Sequence, residues 1–275
     1  MKKRLTAIIL STLVLTSTLL GCGTPSNESE KNASSDDKKT IVVGATPVPH
    51  AEILNDVVKP ILEKEGYTLK VKVFTDYVQP NVALQEGDLD ANFFQHVPFL
   101  EKFNKENNAD LVATVKVHLE PLGLYSHKIK SLDEIKDGDE ISIPNDPTNE
   151  SRALRLLEEN GLIKLNDNEL VNKFDITENK KNIKINELDA AQLSRTLDDV
   201  TASIINTNFA LQADLNPLED AIIIESKDSP YSNIVAVKNG DQDKAYIKAL
   251  NEAITSEEVR KYIEEKYKGS IIPSF

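Results

Sequence analysis

The stretch EISIPNDPTNESRALRLLEENG, residues 140–161, holds one complete unit of an alternating fold. Glu140 to Ile143 predicts a short strand, and the polar, proline-bounded run after it predicts a turn. Ser151 to Asn160 predicts a helix with Ala153, Leu154 and Leu157 on its inward face, stopped by Gly161. Arg152 then falls in the first turn of that helix, just beyond the carboxyl end of a strand.

The same alternation continues on both sides. Upstream, Ile41 to Val43 reads as a strand, Gly44-Ala45-Thr46-Pro47 as a turn, and Pro49 as the entry to a helix through Ile53 and Val57. Leu69 to Phe74 alternates apolar and polar residues. A helix begins at Pro80 and stops at Gly87. Leu89 to Phe94 is another apolar run, and the helix after Pro98 carries Phe99, Leu100 and Phe103 inward. Leu111 to Val117 and Leu122 to Tyr125 read as strands. Downstream, Ser131 and Glu134 have the spacing of a capping box on a short helix. Ile183 to Leu188, a helix from Asp189, and Ala202 to Ile205 complete a second unit. Ala221 to Ile224 and Ile234 to Val237 read as returning strands, and helices around 244–254 and 256–267 close the chain.

Strands alternating with helices predict an α/β fold. One unit interrupted by a second and then resumed predicts two lobes joined by two crossings, with a cleft that shuts by hinge motion. The expected lobes are 40–126 with 226–275, and 127–225.

The ends of the sequence bear on compartment. Lys2, Lys3 and Arg4 precede the apolar run Leu5 to Leu20, which ends in Leu19-Leu20-Gly21-Cys22. This is the pattern of a secretory signal over 1–21. The run is shorter than the ~20 apolar residues that a spanning helix needs. Cys22 is the single cysteine, which excludes an internal disulfide, and its place after Leu-Leu-Gly resembles a bacterial lipobox. Residues 22–39 are nearly all polar and predict a flexible tether from a lipidated Cys22. The formal charge is −13, and removal of Lys2, Lys3 and Arg4 makes it −16. Such acidity disfavours nucleic acid as a partner.

Six of the 15 Phe and Tyr residues fall between Phe74 and Phe103. Tyr77, Phe94, Gln95 and His96 sit at strand-to-helix junctions, where open α/β sheets bind ligands. Phe99 and Phe103, four apart on a helix, read as core. Arg152 at a helix start suits an anion, because its planar fork accommodates a carboxylate. The plainer reading is that it pairs with Glu150 or another nearby acid. Asn206 follows the apolar run Ala202 to Ile205 and Asn233 follows Pro230-Tyr231-Ser232, and an amide both donates and accepts. The sequence contains no P-loop, no Gly-x-Ser-x-Gly elbow, no His-Glu-x-x-His helix and no metal spacing among its four His. It is therefore read as a binding protein and not an enzyme, with no cofactor and no metal.

Six strings carry a resemblance when taken together: Gly44 to Leu54, Asp76 to Asn81, Asp90 to Leu100, Pro144 to Arg152, Ser203 to Ala210 and Ser229 to Asn233. In this order and spacing they resemble the methionine-binding lipoproteins of bacterial methionine ABC importers, over essentially all of 40–275. The resemblance implies a two-lobed periplasmic-binding-protein fold of type 2. It implies that Tyr77, Phe94 and His96 wall the thioether, that Arg152 takes the carboxylate, and that Asn206 and Asn233 take the amino-acid head group. Gln95 and His118 are further candidates. The stretch His118 to Tyr125 varies within that family, which leaves open the part that His118 or Glu120 plays in ligand choice.

The implied partners are methionine, an ABC permease with a separate ATPase subunit, and the outer face of the cell membrane through an acyl (palmitate-type) anchor on Cys22. The protein is expected as a monomer. L-methionine is the first expectation. D-methionine, a methionine-containing dipeptide, or a surface adhesin with a vestigial cleft are the alternatives.

Overall fold

The computed structural model describes residues 38–275. Residues 1–37, which hold the expected signal sequence, Cys22 and most of the expected tether, lie outside the described residues. Among the described residues, no helix is long and apolar enough to cross a membrane.

The chain runs β1 (Thr40–Ala45), wide helical turns over Pro47–Ala51 and Leu54–Val58, α1 (Lys59–Lys64), β2 (Thr68–Val73), α2 (Gln79–Glu86), β3 (Ala91–His96), α3 (Val97–Asn107) and β4 (Leu111–Leu119). It continues through β5 (Gly123–Tyr125), β6 (Glu140–Pro144), α4 (Pro147–Glu159), β7 (Lys164–Leu165), β8 (Ile176–Glu178), β9 (Lys184–Leu188), β10 (Ala202–Ile205), α5 (Thr207–Gln212) and β11 (Ile223–Ile224). It ends with β12 (Ser232–Lys238), α6 (Ala245–Ile254), α7 (Glu257–Tyr267) and β13 (Ile272–Pro273).

Two sheets organise these elements. The first has the order β13-β4-β12-β3-β1-β2, and the second β11-β5-β10-β6-β9. In the first sheet β1 is parallel to β2 and β3, while β12 inserts antiparallel between β3 and β4. In the second, β10, β6 and β9 are parallel and β5 runs against β10. Each sheet has its own core. Ile41, Val43, Leu54, Phe93, Val235, Ile247 and Leu250 are buried in the first lobe. Leu124, Ile141, Ile143, Leu154, Leu157 and Ile204 are buried in the second. A fully buried leucine or isoleucine contributes ~1.5–3 kcal/mol relative to exposure, so each lobe has the means to hold its own shape.

The chain crosses between sheets twice, at Glu120 to Leu122 and again over 225–231, where β11 gives way to β12. This corrects the expected boundary. Gly123 to Tyr125 falls in the first lobe by the expected bounds, but its strand pairs with β10 and β11 of the second sheet, so the first crossing lies before it and not after residue 126. Ile223 and Ile224 pair with β5 in the second sheet, inside the expected lobe of 127–225, and β12 is the strand that returns.

Local chemistry explains the other differences. Helix α4 starts at Pro147 and not at Ser151, because Asp146 caps it, accepting from the Asn149 N–H at 3.0 Å. Arg152 therefore lies in the second turn. Ser131 makes no capping bond to the short turn Leu132–Glu134. After Asp189 the chain forms tight turns over Ala190–Thr196 in place of a regular α-helix. The small hairpin β7–β8 had no clear signal in the sequence.

Candidate functional site

A cavity lies where the two lobes meet. It is lined by Tyr77, Phe94, Gln95, His96, Phe99, Glu120, Asn149, Arg152, Asn206, Thr207, Asn208 and Asn233. Of the eight ligand-contact candidates, seven line it. His118 does not; it is fully buried behind Glu120. Cys22 lies outside the described residues.

The elements aim these side chains by simple rules. Phe94 and His96 lie at the carboxyl end of β3, and His96 caps α3: its Nδ1 accepts from the Phe99 N–H at 3.2 Å. That contact places the ring proton on Nε2, which donates to Asn149 Oδ1 at 3.3 Å. Burial, with Arg152 nearby, lowers the His96 pKa to about 3, so the ring is neutral at physiological pH. Asn206 ends β10 and donates from Nδ2 to the same Asn149 Oδ1 at 3.0 Å. Asn149 thus joins His96 of the first lobe to Asn206 of the second.

One wall is aromatic. The Tyr77 ring lies 5.9 Å from Phe94, 5.9 Å from Phe99 and 5.1 Å from Phe209, in tilted and edge-on arrangements. Phe103 is core, as its spacing predicts, but Phe99 lines the cavity, in contrast to its reading as core. The Tyr77 hydroxyl reaches across to the second lobe and donates to Asn208 Oδ1 at 2.5 Å.

The other wall is polar. Arg152 is buried, and its edge is held by Glu225: Nε donates to Oε1 at 2.8 Å, and Nη2 to Oε2. Nη2 also donates to the Glu120 carbonyl at 2.8 Å, and the guanidinium stacks over the Tyr231 ring at 4.6 Å. Arg152 is thus paired with an acid from the second crossing, and not with Glu150. Among the described residues, Nη1 has no protein acceptor.

Gln95 is satisfied internally. Its amide exchanges hydrogen bonds with Asn81 and donates to Asn92 at 2.9 Å, which removes it as a free ligand group. Two buried amide atoms have no partner: Asn206 Oδ1, an acceptor, and Asn208 Nδ2, a donor. An unpaired buried polar atom costs about 1–3 kcal/mol, so a ligand that satisfies both is favoured. Asn149 and Asn208 lay inside the quoted sequence strings but carried no signal of their own as site residues.

Spacing showed no metal set, yet the fold gathers His50, His118 and Glu120, whose ligating atoms lie within 4.8 Å of one another. Hydrogen bonds among them account for this proximity, with His118 Nε2 2.7 Å and His50 Nε2 3.2 Å from Glu120 Oε1.

The sequence model of the NlpA lipoproteins matches residues 41–275. The methionine-binding lipoprotein MetQ of Bacillus subtilis is 42% identical over 280 residues, covering 99% of both chains. The D-methionine-binding lipoprotein MetQ of Escherichia coli strain K12 is 41% identical over 258 residues, covering 92% of both. Among solved structures, a nutrient binding protein from Burkholderia cenocepacia bound to methionine superposes with a TM-score of 0.83 at 46% identity, covering 86% of this chain and 100% of that one. Matched in sequence along the whole of its two lobes and in structure across the cleft between them, the chain belongs to the NlpA lipoprotein family.

Proposed function

We propose that this protein is the substrate-binding lipoprotein of an ABC importer and that it captures methionine in the cleft between its lobes. One observation carries the reading. The cavity between the lobes joins an aromatic wall to unpaired hydrogen-bonding atoms of both kinds, the Asn206 acceptor and the Asn208 donor, beside Arg152. An amino acid with a soft apolar side chain fits that division. Its thioether packs against Tyr77, Phe94 and Phe99, since sulfur–aromatic contacts contribute ~0.3–1.5 kcal/mol each. Its carboxylate takes the free Nη1 of Arg152 and Asn208 Nδ2, while Asn206 and Asn233 serve the rest of the head group. A vestigial cleft would have no reason to keep buried amides unsatisfied.

Binding and release proceed without covalent chemistry. Closing the lobes removes water from the head group and strengthens each charge-assisted bond. The loaded protein, a monomer held to the outer face of the cell membrane by an acyl group on Cys22, then delivers its ligand to a permease driven by a separate ATPase.

Isothermal titration calorimetry with L-methionine, D-methionine and methionine dipeptides, after unfolding and refolding to strip carried-over ligand, tests this. Tight binding of L-methionine with weak binding of the others supports the reading. Preference for D-methionine or a dipeptide changes the substrate, and binding of none of them overturns the proposal.

A further inference from the structure

Glu120 lies on the first crossing between the lobes and lines the cavity, although its side chain is only 7% exposed. Its Oε1 faces the imidazoles of His118 and His50 at 2.7 and 3.2 Å, and its Oε2 accepts from the Asn208 N–H at 3.0 Å. A carboxylate offers about four acceptor positions, so one remains open. Among the described residues, no lysine or arginine pairs with this carboxylate; Arg152 reaches the Glu120 carbonyl instead and gives its charged edge to Glu225.

The two imidazoles supply dipoles and not charge. Burial lowers the His118 pKa to about 3 and that of His50 to about 4, so both are neutral near pH 7. His50 is oriented from behind by Thr46, whose Oγ1 lies 2.7 Å from Nδ1. A buried carboxylate with oriented neutral donors and no counter-cation is expensive to keep ionised, and burial pushes the Glu120 carboxyl up. What it lacks is a positive group of its own, and its open acceptor position belongs to a residue that faces the cavity.

We propose that Glu120 is the receptor for the α-ammonium of the bound amino acid, with His50 and His118 acting as positioning residues that hold its carboxylate in place. This rests on the reading of the cleft as an amino-acid site and deepens it. The ammonium donates to Glu120 and to the orphaned acceptor Asn206 Oδ1, while the carboxylate of the same ligand lies toward Arg152 and Asn208 Nδ2. The cleft then reads both ends of a zwitterion. It rejects acids that lack the amine and amino acids whose nitrogen is acylated, because either would leave the buried Glu120 carboxylate without a cationic partner.

The test compares L-methionine with 4-(methylthio)butanoic acid, which lacks the amine, and with N-acetyl-L-methionine, on the full-length protein and its Glu120→Gln variant. The wild type should bind L-methionine at least roughly tenfold more tightly than either analogue, as expected for a hydrogen bond to a charged group. Glu120→Gln should remove most of that preference by weakening L-methionine while leaving the deaminated acid unchanged or improved. Equal binding of methionine and the deaminated acid by the wild type overturns the proposal, as does a preference that survives in Glu120→Gln. Glu120→Asp retracts the charge by one methylene and gives an independent reading if the glutamine variant does not fold. It should weaken methionine more than the deaminated acid, and equal losses overturn the assignment. Binding of neither ligand by the wild type overturns the amino-acid reading itself.

Discussion

Glu225 grips Arg152 edge-on, taking Nε and Nη2 together, so the guanidinium on α4 is oriented by an acid on the second crossing between the lobes. Both side chains are nearly buried, at 4% and 11% exposure. The ion pair fixes the plane of the guanidinium and leaves Nη1 directed away from Glu225. The ligand therefore meets a guanidinium already held in place, and less side-chain freedom is lost on binding.

Arg152→Ala should lower methionine affinity at least roughly tenfold, because a bond to a charged group contributes ~1.5–3 kcal/mol. It also strands Glu225, and removal of one partner from a buried pair costs ~3–5 kcal/mol of stability at full burial, somewhat less here. Calorimetry and denaturant unfolding on the same variant separate the two effects. Unchanged affinity would remove Arg152 from the site.

Tyr77→Phe deletes the hydroxyl that bridges the lobes to Asn208 Oδ1. The bond spans the lobes and belongs to neither lobe's core, so the expected result is little change in unfolding midpoint but faster ligand release. The loss should be about 1–3 kcal/mol in affinity, since Asn208 Oδ1 would then be left without a partner in the closed, ligand-bound state. Stopped-flow dissociation is the measurement, and an unchanged off-rate would show that the bridge does not hold the closed form.

His96 has a folded pKa of about 3, depressed from 6.5 by burial. Between those values the unfolded chain binds a proton at this residue and the folded chain does not, so its contribution to stability is complete above pH 6.5 and is lost as pH falls toward 3. The slope is ~1.4 kcal/mol per pH unit for one proton. His96→Gln should flatten the stability–pH curve by about that amount between pH 6 and pH 4. Parallel curves for wild type and variant would show that His96 titrates normally in the folded protein.

Leu154→Ala empties a fully buried position beneath α4 in the second lobe. The expected destabilisation is ~2–5 kcal/mol, read by chemical denaturation. A loss below 1 kcal/mol would mean that the core can collapse around the gap. Methionine affinity of the remaining folded fraction should change far less than with Arg152→Ala, because Leu154 lies away from the cavity.

Much of the architecture was legible locally. Ile41 to Val43 and Ala202 to Ile205 are strands in the structure, and Pro80 to Gly87 and Ser256 to Tyr267 bound helices, because side-chain periodicity and proline and glycine punctuation act over a few residues. The misreadings also had local causes. Asp146-Pro147 is a cap followed by a first-turn proline, and reading it as turn moved the start of α4 by one full turn. The spacing of Phe99 to Phe103 predicts a core residue, yet Phe99 sits in the first turn of α3, where the helix meets the cleft.

By itself the sequence determined the α/β alternation and the family to which six short strings belong, and through that family the two-lobed plan. Those properties reside in contiguous residues. Which polar atoms are satisfied and which are left for a ligand was decided only in three dimensions. Arg152 finds Glu225 73 positions away, and Tyr77 finds Asn208 131 positions away, once the two crossings bring the lobes together. Gln95 is withdrawn from the ligand by Asn81 and Asn92, and Glu120 acquires its two imidazoles, by the same folding. A hydrogen-bonding group is available to a ligand only when no other part of the protein occupies it, and that depends on every neighbour the fold supplies.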